Sequence, residues 1–327
     1  MKVCVYLHSY PPFRYTGGEL MTADLLEYLV QRGHTVDVFV KEVEDTYVRN
    51  GVTVMTSGYL HPTFVRLHDI FITHPEIRTG AIRQTGTMPY VGIVHNTGIH
   101  TMRSIERQAP DLTICNSQHT QSRLPKTVQA SRMGSVVINP PVLLQPLDGV
   151  QEGRRAASHS LPARHYVTMV NISHEKGGAV LAYLAERNPD VAFLGVIGGH
   201  GSQVEDQPDN VTILGPQEDM RPVYDATKTL IFPTKREAYG KVAAEAMQWG
   251  IPCIVSDLPA LHEVCGDAAV FVDPHNYAAW DVALQTMQFD VHDRYAALSL
   301  QRGKELHANS LNDLARFEAA LLDLAGQ

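Results

Sequence analysis

The chain has 327 residues, enough for two domains that each bury a core of their own, and its 44% hydrophobic and 19% charged residues fit a soluble globular protein. It contains no run of about 18 apolar residues that would read as a membrane span. The opening MKVCVYLHSYPPFRYTGGEL has too short an apolar core for a signal peptide. The formal net charge of −8 is unevenly placed: residues 1–150 hold 13 Lys+Arg against 12 Asp+Glu, and the remainder 14 against 23. Within 49–132 the balance is 9 basic to 4 acidic, a mild pointer to something anionic meeting the N-terminal half. The four cysteines (Cys4, Cys115, Cys253, Cys265) are scattered and form no CxxC pair. That argues for a reducing, cytoplasmic setting and against a zinc site.

In chain order, KVCVYL (2–7) reads as a buried strand and 18–33 as a helix, with Leu20, Leu25, Leu26 and Leu29 on one face and a stop near Gly33. Further strands are expected at 35–40, 69–74, 90–95, 112–116 and 135–139. A second series follows at 165–172, 191–198, 210–215, 229–234, 251–257 and 268–273. Near-continuous apolar strands separated by helical stretches point to parallel sheets covered on both faces. The aperiodic stretch 139–164 carries four prolines and marks a linker. The reading is an α/β protein of two doubly wound, Rossmann-like domains facing each other across a cleft: 1–143, a linker over 144–164, and 165–310. A closing amphipathic helix (311–327) follows, with Leu311, Leu314, Phe317, Leu321 and Leu324 apolar. Ligands of such sheets bind at the carboxyl ends of the strands, so the loops there are where chemistry is to be sought.

The loop KREAYG after strand 229–234 leads into a helix from Lys241 to about Gly250. Gly240 stands at its start, where a bare backbone and the positive end of the helix dipole suit a phosphate, and Lys241 adds a full charge. Glu245, four residues on, shares a face with Lys241, while Glu237 lies in the loop. The two carboxylates can grip opposite ends of one elongated ligand, or they can belong to an ordinary solvated helix. Taken alone, the stretch does not choose.

Glu237-Ala238-Tyr239-Gly240-Lys241 with a second acid at Glu245 resembles the E-x7-E motif of glycosyltransferase family four, retaining enzymes of GT-B architecture. The flanks NVTILGPQEDMRPVYDATKTLIFPTKREAYG and GIPCIVSDLPALHEV are similar to the family's runs in the same order, about 45 residues in all. VTMVNISHEKGG resembles the family's Gly-Arg-x4-Lys-Gly turn and puts Lys176 on the lysine that binds the donor diphosphate. Its arginine position holds Asn171, which hydrogen-bonds but carries no charge. Gly17 and Gly18 match the glycine pair after the first strand. His95 matches a strand-end histidine beside the donor sugar, a role that by itself a lone histidine fills less often than a structural one. His74, at another strand end, has a looser match.

The resemblance implies transfer of a sugar from a nucleotide-diphosphate donor, a UDP- or GDP-sugar, to a hydroxyl acceptor with retention of configuration. Gly17, Gly18, Asn171, Lys176, Ala238, Tyr239, Gly240, Lys241 and Glu245 would bind the donor, with Glu245 on the ribose. Glu237 and His95 would attend the sugar. No DxD motif lies in a suitable loop, so no bound metal and no cofactor beyond the co-substrate is expected. The acceptor stays open: a saccharide, a small molecule, or an anionic partner such as nucleic acid carrying a hydroxylated base. Oligomeric state is not indicated. The rival is a GT-B-shaped protein that binds nucleotide or glycan without catalysis, for which Asn171 is the argument. A dinucleotide-binding oxidoreductase is disfavoured because HSYPPFRYTGG lacks G-x-G-x-x-G.

Overall fold

The structure, a computed structural model, describes residues 1–13, 15–41, 45–56, 60–75, 77, 88–144, 161–199 and 201–326. Of the expected linker, 145–160 lies outside them. The chain divides into two compact units: Met1–Pro141 with Ser310–Gln327, and Val142–Asn309.

The first unit is built on an eight-stranded sheet of β1 (Lys2–Leu7), β2 (Thr35–Val40), β3 (Tyr47–Arg49), β4 (Val52–Thr56), β5 (Ile70–Thr73), β6 (Tyr90–Val94), β7 (Leu112–Cys115) and β8 (Ser135–Val137). Their order is β3-β4-β2-β1-β5-β6-β7-β8. Every pair is parallel except β3–β4, an edge hairpin. Its turn is Asn50-Gly51, both at positive φ (46° and 83°), the backbone that a two-residue hairpin needs. Around the sheet run α1 (Gly17–Gln31), α2 (Pro62–Val65), α3 (Ile99–Gln108), α4 (Gln118–Ser122) and α5 (Lys126–Gln129). Leu25, Leu26 and Leu29 of α1 are fully buried against Val3, Val5, Val36 and Val38, as their spacing requires, while Leu20 is half-buried.

The second unit holds β9 (Tyr166–Val170), β10 (Phe193–Val196), β11 (Val211–Leu214), β12 (Thr227–Phe232), β13 (Cys253–Ser256) and β14 (Ala269–Val272) in the order β11-β10-β9-β12-β13-β14, all parallel. Its helices are α6 (Gly178–Arg187), α7 (Arg221–Ala226), α8 (Lys241–Gln248), α9 (Pro259–Cys265), α10 (Tyr277–Thr286) and α11 (His292–Ala325). The inner strands β9, β10, β12 and β13 are mostly buried on both faces, which explains their hydrophobic runs.

The expected closing helix is not a separate element but the end of α11, 34 residues long. Residues through Asn309 belong to the second unit and those from Ser310 to the first. Gly303, mid-helix, lets α11 lie directly on the end of α8: a Cβ there would come within 2.4 Å of the Met247 carbonyl oxygen. Leu314, Phe317, Leu321 and Leu324 enter the core of the first unit, whereas Leu311 is 53% exposed and does not join them. Glu318 of the same helix accepts hydrogen bonds from Arg32 and His34 at 3.0 and 2.9 Å.

Both sheets have a switch point, where the strand order reverses: between β1 and β5 in the first and between β9 and β12 in the second. Loops leaving neighbouring strands there diverge to opposite faces and open a crevice, the usual ligand site of such folds.

Candidate functional site

At the second unit's switch point the loops after β9 and β12 are fastened together. Lys176 Nζ lies 2.7 Å from Glu237 Oε2 and 5.7 Å from the centre of the Phe232 ring. Arg236 pairs with Glu175 at 2.9 Å, and the Lys235 amide donates to the Glu175 carbonyl at 3.1 Å. The β9 loop reaches this position through Gly177, at φ 94°, where a Cβ would stand 2.4 Å from the Pro233 carbonyl oxygen. Only glycine lets the two backbones approach so closely. Glu237 Oε1 accepts from the Ala238 amide at 3.0 Å, and the Tyr239 amide lies at 3.5 Å. In this state Glu237 is therefore charge-paired on one oxygen and held by its own loop on the other.

Gly240 precedes α8 at φ 111°, and a Cβ there would meet Leu261 at 2.6 Å. Lys241 and Glu245 pair along α8 at 3.3 Å with side chains only 13% and 11% exposed. The second oxygen of Glu245 accepts from the Tyr224 hydroxyl at 2.7 Å, in full burial for the tyrosine. Burial, then the adjacent carboxylate, push the Tyr224 pKa well above its ordinary value, so it remains an O–H donor.

Asn171 ends β9 at φ 63°, a left-handed backbone that Asn tolerates and Arg does not favour. Its Oδ1 accepts from the Ser173 amide at 3.2 Å and lies 3.4 Å from Gln203 Nε2. The side chain thus caps its own turn with its oxygen, and what it can offer a phosphate is its NH2 group.

In the first unit, Gly17 and Gly18 open α1, whose N-cap Thr16 makes no side-chain capping bond. The two glycines differ. A Cβ on Gly17 would meet nothing within 4 Å, whereas one on Gly18 would strike the His95 ring at 2.7 Å. Gly18 makes room for an imidazole, and Gly17 leaves open space. His95 follows β6, with its Nδ1 buried and without a hydrogen-bond partner among the described residues. His74 follows β5, its ring edge-on to His95 at 4.6 Å between centroids. Its Nε2 lies 2.9 Å from Thr22 Oγ1, which itself donates to the Gly18 carbonyl at 2.9 Å. The hydroxyl has one proton, so His74 must donate from Nε2. Burial, then the nearby His95 and His8, depress the His74 pKa well below the usual histidine range and keep it neutral.

Residues 178–288 match the family described as glycosyl transferases group 1. The span contains Glu237 to Glu245 and begins just after Lys176. The O-antigen chain mannosyltransferase B of Escherichia coli is 37% identical over 76 residues, 23% of this chain and 20% of that protein. A D-inositol 3-phosphate glycosyltransferase of Mycobacterium sp. (strain JLS) is 30% identical over 189 residues, 52% of this chain and 43% of the relative. These matches span less than half the length of either curated relative. The crystal structure of Anabaena HepE in complex with UDP and glucose superposes with a TM-score of 0.77 at 16% identity, covering 99% of this chain and 100% of that one. The fold is GT-B.

Within this GT-B chain the sequence-derived candidates fall into two groups, each at the switch point of its own unit. Lys176, Glu237, Ala238, Tyr239, Gly240, Lys241 and Glu245 surround one, with Asn171 at the start of its first loop. Gly17, Gly18 and His95 surround the other. The sequence reading missed Tyr224, 21 residues before Glu245, and Thr22, which joins His74 to Gly18. Neither has a local spacing signal, because the Tyr224–Glu245 and Thr22–His74 contacts are made only by the tertiary fold. Among the described residues no group of three or more His, Cys, Asp or Glu side chains is arranged to hold a metal ion, and no helix is long and apolar enough to cross a membrane.

Proposed function

We propose that the protein transfers a sugar from a nucleotide-diphosphate donor to a hydroxyl acceptor, with retention of configuration and without a metal. The observation that carries this reading is the paired arrangement Lys176–Glu237 and Lys241–Glu245 at the β9/β12 switch point, with Glu237, Lys241 and Glu245 inside the segment that matches group 1 glycosyl transferases. Two lysines beside the start of α8 provide the charge that a diphosphate needs, and the two carboxylates provide acceptors for hydroxyls. Glu245 takes the ribose and Glu237 the sugar. In the first unit, Gly17 offers an open backbone at the start of α1, and the neighbouring Gly18 makes room for the His95 ring.

The C–O bond to the diphosphate breaks as the bond from the acceptor oxygen to the anomeric carbon forms on the same face, and a leaving phosphate oxygen takes the acceptor's proton. Negative charge grows on the diphosphate along this path. Lys176, Lys241 and the α8 N-terminus favour it more in the transition state than before it. Glu237 is not a nucleophile in this scheme: it is ion-paired and hydrogen-bonded by its own loop.

A non-catalytic nucleotide-binding role is the second reading, favoured by Asn171, which adds no charge and turns its oxygen inward. Incubation with UDP- and GDP-sugars without acceptor separates the two. Slow hydrolysis of one α-linked donor, with the α-anomer seen first by NMR and no change on adding EDTA, is the expected result. A β-anomer product overturns retention, and a requirement for magnesium overturns metal independence. Binding without turnover of any donor favours the second reading. For the acceptor, affinity that collapses between about 50 and 200 mM salt identifies a polyanion, and salt-insensitive affinity a neutral saccharide.

A further inference from the structure

We propose that Tyr224 is the positioning residue of the ribose site: its hydroxyl decides which oxygen of Glu245 is presented to the donor. The inference rests on the reading of Glu245 as the ribose acceptor. Tyr224 donates to Glu245 Oε2 at 2.7 Å, and Lys241 faces Oε1 at 3.3 Å. A carboxylate on a helix turns freely about its last torsion unless one oxygen is pinned. Here the pin is rigid. The Tyr224 ring packs on Trp249 at 5.2 Å between centroids, and the neighbouring Asp225 accepts from Trp249 Nε1 at 2.8 Å. Helices α7 and α8 are thereby clipped together at two points, one at each end of the Glu245–Trp249 turn. The phenol is fully buried, and so is most of Glu245, so water does not replace the bond.

With Oε2 committed, Oε1 is the oxygen that exchanges partner. When a diphosphate draws Lys241 towards its own charge, Oε1 is left facing outward for a ribose hydroxyl. Tyr224 touches no reacting atom. Its effect should be on discrimination between ribose and deoxyribose, which a purely structural tyrosine would not alter.

The test is calorimetric titration of wild type, Tyr224→Phe, Glu245→Gln and the double variant with UDP and GDP, each against its 2′-deoxy and 3′-deoxy counterpart. The expected result is that wild type prefers the ribose form of one nucleotide by about tenfold, the scale of one hydrogen bond to a charged group. Tyr224→Phe should reduce that preference to about twofold or less while its affinity for the deoxy form is kept. The double variant should lose no more than Glu245→Gln alone. Full preference retained in Tyr224→Phe but lost in Glu245→Gln overturns the role of Tyr224 and leaves the ribose reading standing. No preference in wild type, or preference surviving Glu245→Gln, overturns the ribose reading and this inference with it. Should Tyr224→Phe fail to fold, Trp249→Phe keeps the hydroxyl but loosens its ring and is read by the same ratio.

Discussion

The two candidate regions reach readiness for a ligand in opposite ways. At the second unit's switch point the charged side chains are already matched: Lys176 with Glu237, Lys241 with Glu245, and Tyr224 on the remaining Glu245 oxygen. In the first unit His74, kept neutral by burial, is held by Thr22, and His95 has a buried Nδ1 without a hydrogen-bond partner among the described residues. Partly buried opposite charges can be kept together only if they are paired, so a ligand there must exchange partners rather than fill a vacancy. One unmet hydrogen bond at a ring nitrogen costs less than a buried unpaired charge. The lesson is that the two switch points of one fold are prepared differently, one by paired charges and the other by an unmet ring nitrogen.

If the pairs in the second unit are exchange partners, the two glutamates should separate by effect. Glu237→Gln should lower turnover on the order of 100-fold with nucleotide affinity nearly intact, whereas Glu245→Ala should mainly weaken binding. Equal effects on both quantities in steady-state kinetics would remove the division of labour. Next in size, Lys176→Met strands Glu237 and removes the proposed phosphate contact; diphosphate affinity should fall by about 1.5–3 kcal/mol, with monophosphate affinity much less affected. A loss identical for both nucleotides would place Lys176 away from the terminal phosphate.

The first unit's contribution should show in packing. Gly18→Ala drives a Cβ into the His95 ring and should destabilise by about 1–3 kcal/mol, read by denaturant unfolding. Gly17→Ala, with open space beside it, should leave stability within about 1 kcal/mol. Similar costs at both sites would contradict the distinction between them. A further effect is that of pH. The folded-state pKa of His74 lies below the ordinary 6.5, so the unfolded chain binds the proton first and stability is lost as pH falls below about 6.5. His74→Gln should flatten that slope, which is at most about 1.4 kcal/mol per pH unit. An unchanged melting profile from pH 7 to 5 in both proteins would show that His74 does not titrate there.

How much of this was legible in the sequence depended on range. Strands flanked by clear apolar runs were placed to within a few residues, because burial on both faces is written directly into Val/Ile/Leu content. Their ends shifted for local reasons. The strand expected at 229–234 stops at Phe232, before Pro233, which has no N–H for the ladder, and β9 stops where Asn171 turns left-handed. The β3–β4 hairpin was readable from Asn50-Gly51 but went unread, since a three-residue edge strand has almost no periodicity. The full length of α11 was hidden by Gly303, a poor helix former that is there for its contact with α8. In the candidate site, Glu237, Gly240, Lys241 and Glu245 stood out because they are close in sequence. Tyr224 and Thr22 did not, because nothing short of the folded chain brings Glu245 and His74 to them, and the inward turn of Asn171 depends on its left-handed backbone, which residue type alone does not set.

The measurement that goes most directly to the central claim is calorimetric titration of wild type and Lys176→Met with UDP, GDP, ADP and dTDP, each alongside its monophosphate, with and without magnesium. The account predicts tight binding of one diphosphate, indifferent to magnesium, with a preference over the monophosphate that Lys176→Met removes. No binding at millimolar ligand, or equal affinity for mono- and diphosphates in both proteins, would contradict a diphosphate site between the loops after β9 and β12.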